Sequence, residues 1–255
     1  VKKFLSNLSY LVGLNLLVKA TWVFGIDRTV QVVVGEADYG LYFAVFNLTL
    51  IFQIFMDMGI QHFNNISVSG NKSKLVEMLP TIMGLKVILS LFFFGGLFLA
   101  GFLIGWGSSE FELLLPVGLN IWFLTFVLYF RSSLTALQLF RVDAWISVLD
   151  RLIVICLAGS VLLFKPFGIE MTIKHFVYAQ TIGLGTSAFL SGILVSRQAK
   201  AFSIRFDLSK MQELITKSFP FTLSVILMGG YSRIDSIMLE RMLDQGAQEA
   251  GIYAA

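Results

Sequence analysis

Residues 87–109 read VILSLFFFGGLFLAGFLIGWGSS, which is 23 residues without Asp, Glu, Lys or Arg. The hydrocarbon core of a bilayer is about 30 Å thick, and a helix needs about 20 apolar residues to cross it. A charge-free run of this length therefore predicts a helix that spans a membrane.

The composition of the whole chain agrees with this prediction. Of its 255 residues, 56% are hydrophobic and only 14% are charged, whereas soluble domains are about 25% charged. The composition excludes a disordered chain, a nucleic-acid-binding arm and an ordinary cytosolic enzyme. One cysteine and two histidines are too few for a protein-only zinc site, and we expect neither a metal nor a cofactor.

Seven apolar segments are long enough to be spans, although four of them carry isolated charges. We therefore predict an all-α integral membrane protein, a multi-span helical bundle. The predicted spans are residues 8–26, 41–63, 87–109, 113–130, 144–164, 175–196 and 219–240.

The distribution of Lys and Arg between the loops predicts the orientation. With a cytoplasmic N-terminus, ten basic residues fall in the cytoplasmic segments and four in the outer segments. Basic residues are enriched on the cytoplasmic side of membrane proteins, so we expect the N-terminus to be cytoplasmic.

An internal repeat relates the two ends of the chain. Gly40-Leu41-Tyr42 opens the second span and Gly251-Ile252-Tyr253 ends the chain, six spans later. Asp27 and Asp235 stand at matching places upstream. A six-span period predicts a parallel repeat. Residues 1–206 would be the first six-helix half of a two-bundle transporter, and residues 207–255 would hold an amphipathic connector, helix seven and the start of helix eight.

The connector after the sixth span has its own amphipathic pattern. Asp207 is placed to cap a short helix, and Leu208, Met211, Leu214 and Ile215 give that helix one apolar face. The face could lie on the membrane surface or pack as an ordinary connector helix, and the pattern leaves both readings open.

Eight ionisable residues fall within the apolar spans. Each would cost about 2.5–3.5 kcal/mol at the bilayer centre, so most must face a cavity, pair or extend to the interface. We expect Lys86, Arg131, Asp150 and Arg151 to extend to the cytoplasmic interface. The other four are Lys19, Asp57, Arg233 and Asp235.

Polar residues also recur at helical spacing. Thr49, Gln53, Asp57, Gln61 and Asn64 would form one stripe along a continuous second span, and Asn15 shares a face with Lys19. Any single stripe is explained by interhelical hydrogen bonds. Several stripes together with uncompensated charge favour a water-filled cavity.

The eight charges sum to +2, which suits an anionic substrate such as a phosphate. We expect Lys19 and Arg233 to bind the phosphate, and Asn15, Gln53 and Gln61 to contact sugar. Asp57 and Asp235 are candidates for carrying coupling H⁺ or Na⁺, and Asp235 could instead pair statically with a cation. Gly229 and Gly230 could form a hinge or allow close helix packing.

Short motifs resemble a known family. Tyr39-Gly40-Leu41-Tyr42 opens the second span, and Met56-Asp57-Met58-Gly59-Ile60 follows in it. Phe219-Pro220, Arg233-Ile234-Asp235 and Ala250-Gly251-Ile252-Tyr253 mark the seventh span and its sequel. The chain is similar to the bacterial polysaccharide flippases, the O-antigen and capsule translocases of the multidrug/oligosaccharidyl-lipid/polysaccharide exporter superfamily.

The resemblance implies twelve to fourteen helices in two bundles in the bacterial inner membrane. It implies that an undecaprenyl-pyrophosphate-linked oligosaccharide is moved between leaflets by ion-coupled alternating access, without nucleic acid as a partner. Family members often carry a basic residue soon after the Asp-x-Gly of the second span, where this chain has His62. A basic contact there depends on protonation of His62.

Other functions remain as alternatives. A multidrug or peptidoglycan-precursor exporter of the same superfamily would have the same architecture. A membrane-embedded glycan-modifying enzyme would need a His/Asp/Glu cluster on a substantial loop, whereas His175 stands alone in the sequence. A seven-span receptor is disfavoured by the repeat. We therefore expect a transporter and not an enzyme.

Overall fold

The structure is a computed structural model that describes residues 12–164, 168, 170–199 and 203–242. For residues 36, 225 and 228–242 it describes the backbone alone. These residues are almost entirely helical, and no strand occurs among them.

Eight helices follow one another in the described part of the chain. The first, α1, covers residues 12–34 and includes a π-helical segment, Thr21–Asp27. The others are α2 (Glu36–Asp57), α3 (Ile60–Val68), α4 (Lys72–Ile104), α5 (Ser108–Ala136), α6 (Phe140–Phe164), α7 (Ile173–Ala199) and α8 (Leu208–Met242).

Five of these helices, α2, α4, α5, α6 and α7, are long and apolar enough to cross a membrane. They overlap the second to sixth predicted spans. The predicted fold class, an all-α multi-span membrane protein, is confirmed. The first predicted span begins outside the described residues.

Helix α5 forms the centre of the bundle. More than half of its most apolar stretch is buried, against a third or less in the other four candidate spans. It packs against α7, α2, α3 and α6, with Leu114, Val117 and Ile121 in the core. Helices α2, α3, α6 and α7 therefore pack around α5.

The second predicted span is broken. Helix α2 ends at Asp57, Met58 and Gly59 adopt positive φ angles of 41° and 70°, and α3 begins at Ile60. A Cβ on Gly59 would lie 2.5 Å from the Ser218 carbonyl oxygen. The glycine is thus required both by its backbone conformation and by the close approach of α8.

Helix α4 is longer than the third predicted span. It begins at Lys72, where the Asn71 side chain accepts hydrogen bonds from the backbone N–H groups of Ser73 and Lys74. It ends at Ile104, before Gly105 at φ 80°. At 1.5 Å per residue the helix is ~50 Å long. The charge-free run marked only its apolar part.

The connector between α7 and α8 docks on α4. The backbone N–H of Arg205 donates to the Pro80 carbonyl oxygen (3.0 Å). A Cβ on Gly84 would clash with the Arg205 carbonyl oxygen, so glycine is needed for the connector to lie this close. The last residues before α8 are therefore attached to the bundle.

Helix α8 begins as predicted and then continues further. The Asp207 carboxylate accepts a hydrogen bond from the backbone N–H of Lys210 (3.2 Å), as an N-terminal cap does. Met211 and Leu214 are buried against the core, whereas Leu208 is exposed. The apolar face of the connector thus packs on the bundle, and the expected short helix is the beginning of one 35-residue helix.

Gly59→Ala is expected to lower the thermal stability of the purified protein by several degrees. The added Cβ would lie 2.5 Å from the Ser218 carbonyl oxygen and 2.6 Å from the Thr222 nitrogen. The measurement is the unfolding temperature in detergent.

Gly70→Ala is the matched control, because Gly70 also has a positive φ (66°) but no atom lies within 4 Å of its added Cβ. Both variants carry the left-handed backbone cost of roughly 1–2 kcal/mol, so their difference reports the contact with α8. Equal unfolding temperatures would contradict the packing of Gly59 on α8.

Candidate functional site

A cavity of about 320 Å³, whose mainly apolar lining includes several polar and charged groups, lies among five helices of the bundle. Three of the residues that line it are ionisable: Asp27, Asp150 and Arg151. Ionisable side chains within membrane helices mark substrate or ion pathways. The full lining is Trp22, Asp27, Tyr39, Tyr42, Phe43, Phe46, Leu124, Asp150, Arg151, Val154, Gln180 and Leu184.

Asp27 lies at the end of the π-helical segment of α1 and is half-buried. The Tyr39 hydroxyl donates a hydrogen bond to its carboxylate (3.1 Å), and the Tyr39 ring meets that of Tyr42 edge to face. π-Helical segments occur frequently at functional sites. Sequence reasoning missed Asp27 as a site residue, although the repeat had paired it with Asp235.

A chain of hydrogen bonds connects three helices beside the cavity. The Thr181 hydroxyl donates to the Asn120 amide oxygen (2.6 Å), and the Asn120 amide donates to the Gln180 amide oxygen (3.2 Å). The Gln180 amide in turn donates to the Tyr42 hydroxyl (3.2 Å). The polar side chains of α2, α5 and α7 are thereby held in fixed orientations.

The expectation that Asp150 and Arg151 extend to the cytoplasmic interface is wrong. Helix α6 begins at Phe140, so Asp150 lies ~15 Å along a helix that continues well beyond it. Both side chains line the cavity, and Arg151 donates to the Ser147 carbonyl oxygen one turn earlier (3.3 Å). The predicted span began too late in the sequence, and this placed the two charges too close to an interface.

Of the residues predicted to bind substrate, Asn15 lies nearest to this network. Its amide donates to the Ser147 hydroxyl (2.8 Å), which joins α1 to α6 one turn from Arg151. Lys19 is exposed on α1. Neither of them is part of the cavity lining, and neither are Gln53, Asp57 and Gln61.

The predicted stripe along the second span is interrupted because the helix breaks after Asp57. Thr49 is buried and donates to the backbone of its own helix. Asn64, in α3, donates to the hydroxyls of Ser132 and Ser133 on α5 (2.9 Å each). Gln53, Asp57 and Gln61 are half-buried around the break. For Asn64 the interhelical hydrogen bond is therefore the correct reading.

The interface position predicted for Lys86 is also wrong. Lys86 lies in the middle of α4 and is completely buried (0% exposed). Its ammonium donates to the carbonyl oxygens of Met56 and Thr125 (3.4 Å each) and lies 5.3 Å from the Phe126 ring centroid. Asp57 is close enough to interact with it electrostatically. This cation is held inside the protein.

Arg131 pairs with an acid that the sequence analysis did not count. Its guanidinium contacts the Asp143 carboxylate at 2.6 Å, and the two side chains are 28% and 4% exposed. Asp143 lies in the first turn of α6. The Asp143 carboxylate on the neighbouring helix therefore compensates the charge of Arg131, and Arg131 does not need to extend to the interface.

Arg233, Asp235, Gly229 and Gly230 lie in the part of α8 for which only the backbone is described. The backbone is helical through both glycines. The predicted binding, coupling and hinge roles of these residues stay predictions, and the predicted start of helix eight lies outside the described residues.

The charge of the cavity differs from the net positive site that we expected. Its lining contains two carboxylates and one guanidinium, together with aromatic rings and an amide. Within the described ranges, no group of three or more His, Cys, Asp or Glu side chains could hold a metal ion. The arrangement can bind a polyhydroxylated molecule through hydrogen bonds and ring contacts.

Comparison with known proteins adds one finding. The sequence model of a family described as "Polysaccharide biosynthesis protein" matches residues 5–255. No curated protein and no solved structure matches the chain.

Lys86→Met is expected to leave the unfolding temperature unchanged or to raise it. Replacing a buried charge with an apolar side chain of similar volume is often neutral or stabilising. Lys86→Ala is the paired variant, and we expect it to lose about 2–4 kcal/mol because it leaves a cavity. Thermal unfolding in detergent checks both variants. A methionine variant as unstable as the alanine variant would show that the charge itself stabilises the fold.

Asp143→Ala is expected to lower the free energy of unfolding by about 3 kcal/mol, because it leaves the Arg131 guanidinium without its partner. The double variant Arg131→Met/Asp143→Ala, compared with each single variant, should recover much of this loss. A double-mutant cycle of unfolding free energies measures the coupling. Strictly additive effects would contradict an energetically important pair.

Proposed function

The chain belongs to the polysaccharide biosynthesis protein family, and we propose that it moves a lipid-linked oligosaccharide between the leaflets of the bacterial inner membrane. Membership confirms the resemblance drawn from the sequence. It supports a polysaccharide-related flippase or export role, and members of the family are transporters and not enzymes. The chain is a multi-pass membrane protein.

In the proposed reaction, an undecaprenyl-pyrophosphate-linked oligosaccharide crosses the membrane by ion-coupled alternating access. The observation that carries the proposal is the cavity lined by Asp27, Asp150 and Arg151. A saccharide cannot cross the hydrocarbon core without polar partners, because its hydroxyls would lose their hydrogen bonds with water. The cavity supplies such partners.

The lining suits a sugar. The apolar face of a sugar ring packs on aromatic rings, and the rings of Trp22, Tyr39 and Phe43 line the cavity. The sugar hydroxyls can donate to the carboxylates of Asp27 and Asp150 and exchange hydrogen bonds with the Gln180 amide. These groups are neighbours in one cavity, so a single saccharide unit could contact several of them.

Arg151 is the group of the lining best suited to a pyrophosphate. A guanidinium binds phosphate oxygens through two parallel hydrogen bonds, and Arg151 is the one guanidinium in this lining. We propose that Lys19 and Arg233 add to it, as the sequence predicted. Asn15, bonded to Ser147, would position the α6 segment that carries Arg151.

The surroundings of the acids suggest which of them carries the coupling ion. Asp57 interacts with Lys86, and Asp150 is next to Arg151. Asp27 instead receives a hydrogen bond from the neutral Tyr39 hydroxyl. The neighbouring Arg28 is exposed and donates to the Gln31 side chain. A carboxylate held by a neutral hydroxyl can take up H⁺ or Na⁺, so we add Asp27 to the sequence candidates Asp57 and Asp235 and prefer it to them.

A second candidate function is export of organic cations by a related multidrug transporter. The two carboxylates against one guanidinium in the cavity favour it, because acids attract a cationic drug. Sensitivity to organic cations in cells that lack the gene, with normal surface polysaccharide, would select this function over the first.

Asp27→Asn and Arg151→Gln are each expected to reduce surface polysaccharide at least about tenfold, because each removes a charged hydrogen-bonding partner worth roughly 1.5–3 kcal/mol. The measurement is surface polysaccharide in a strain that lacks the chromosomal gene and carries each variant. Membrane protein level is quantified in parallel.

Asp38→Asn is the matched control, since Asp38 is exposed at the start of α2 and is not part of the cavity lining. It should retain normal polysaccharide. Normal polysaccharide in both cavity variants at equal protein level would contradict the proposed role of the cavity.

A further inference from the structure

A second concavity lies on the outside of the bundle, between α5 and α7. It is an open groove of about 740 Å³, and its lining is almost entirely apolar. One wall consists of four aromatic side chains of α5: Trp122, Phe123, Phe126 and Phe130. The opposite side is formed by α7, where Gly185 and Gly192 contribute no side chain.

The sequence explains why a groove forms at this place. Trp122, Phe126 and Phe130 recur every fourth residue, so their rings lie in a row along one face of α5. A Cβ on Gly185 would lie 3.5 Å from the Phe123 ring, and one on Gly192 would lie 3.2 Å from the Phe130 ring. The glycines therefore let the rings of Phe123 and Phe130 approach the backbone of α7, and the groove follows both helices.

One end of the groove is charged. Arg197, in the last turn of α7, completes the lining there beside Ser196 and is exposed. Among the described residues, Arg197 forms no ion pair. From Gly185 to Arg197 is twelve residues of helix, or ~18 Å, close to half of the bilayer core of ~30 Å. The groove therefore has the length of one leaflet, with a cation at the level of the lipid head groups.

We propose that this groove binds the isoprenyl chain of the lipid-linked substrate and that Arg197 binds its phosphate. The proposal rests on the proposed function and on the orientation that places Arg197 on the cytoplasmic side. The charge complementarity is direct, because a guanidinium matches phosphate in geometry as well as in sign. The occupant is thus an anionic lipid that enters from the cytoplasmic leaflet.

The proposed occupant is an isoprenyl chain and not a straight acyl chain. An isoprenyl chain carries a methyl branch on every unit, so it presents a broader apolar surface to the aromatic wall of the groove. A broader surface makes more dispersion contacts with the rings.

The groove and the cavity share two helices. Leu124 and Leu184 line the cavity, whereas their neighbours Phe123 and Gly185 line the groove. The two concavities therefore lie on different faces of α5 and α7. This arrangement lets the hydrocarbon remain in contact with lipid while the sugar occupies the polar cavity.

Photocrosslinking of the full-length protein in nanodiscs tests the proposal. The probe is a polyprenyl phosphate with a benzophenone at the end of its chain, and labelled peptides are identified by mass spectrometry. In the unmodified protein we expect labels on α5 and α7 beside the groove. An excess of unlabelled polyprenyl phosphate should remove them, and an equal excess of phosphatidylglycerol should not.

Two variants and two controls sharpen the test. Gly185→Leu should reduce labelling at least about tenfold, because its side chain fills the space of the hydrocarbon. Arg197→Gln should reduce labelling severalfold, because it removes the guanidinium that binds the phosphate. Arg197 is exposed, so this substitution does not require the helices to repack. Ile182→Phe, on an exposed position of α7 outside the groove, and Lys210→Gln, an exposed lysine of α8, should label normally.

Labelling elsewhere, labelling unchanged in both groove variants, or equal competition by phosphatidylglycerol would each overturn the proposal. The assay measures binding and requires no transport. If the groove captures the probe while the cavity variants leave surface polysaccharide normal, the proposed transport function is contradicted and lipid binding in the groove is supported. If the cavity variants lose polysaccharide but no label reaches the groove, the transport function is supported and lipid binding in the groove is contradicted.

Discussion

Burial of the Lys86 ammonium imposes a constraint that several helices of this bundle satisfy together. A cation without water must find oxygen atoms and ring faces inside the protein. Met56 supplies one oxygen because α2 ends one residue later, and the last carbonyls of a helix lack partners within that helix. Gly59 lies in the same break, and α8 packs against it there. The buried charge, the broken helix and the docking of the seventh span are thus parts of one arrangement.

The other polar groups are compensated in different ways, and this separates structural from functional residues. Arg131 is paired with Asp143, and Asn64 is bonded to two serines of α5. Asp27, Asp150 and Arg151 instead surround open space. Charge within a membrane helix therefore did not identify the site by itself. The site lies where charge adjoins a cavity.

The sequence predicts the helical spans well, because the length of an apolar run depends on local composition alone. It does not predict the break at Met58-Gly59, since the apolar sequence of the second span continues across it. It also underestimates α4 and α6, whose first turns carry charges such as Lys72 and Asp143 and so fell outside the charge-free runs. Asp27 likewise fell just outside the first predicted span, residues 8–26, because it is charged. Its neighbours Tyr39 and Gln180 come from helices whose rotation about their axes no linear pattern specifies.

The attachment of α8 has a mechanical consequence. Its first three turns are fixed to the bundle through Met211, Leu214 and the contact at Gly59, and the preceding connector is tied to Pro80. From Leu208 to Gly229 the helix rises ~30 Å without interruption. A bend at the two glycines would therefore leave this stem stationary and swing only the portion beyond it. The part of α8 beyond the glycines would then move relative to helices α1 to α7, while the part before them stayed in place.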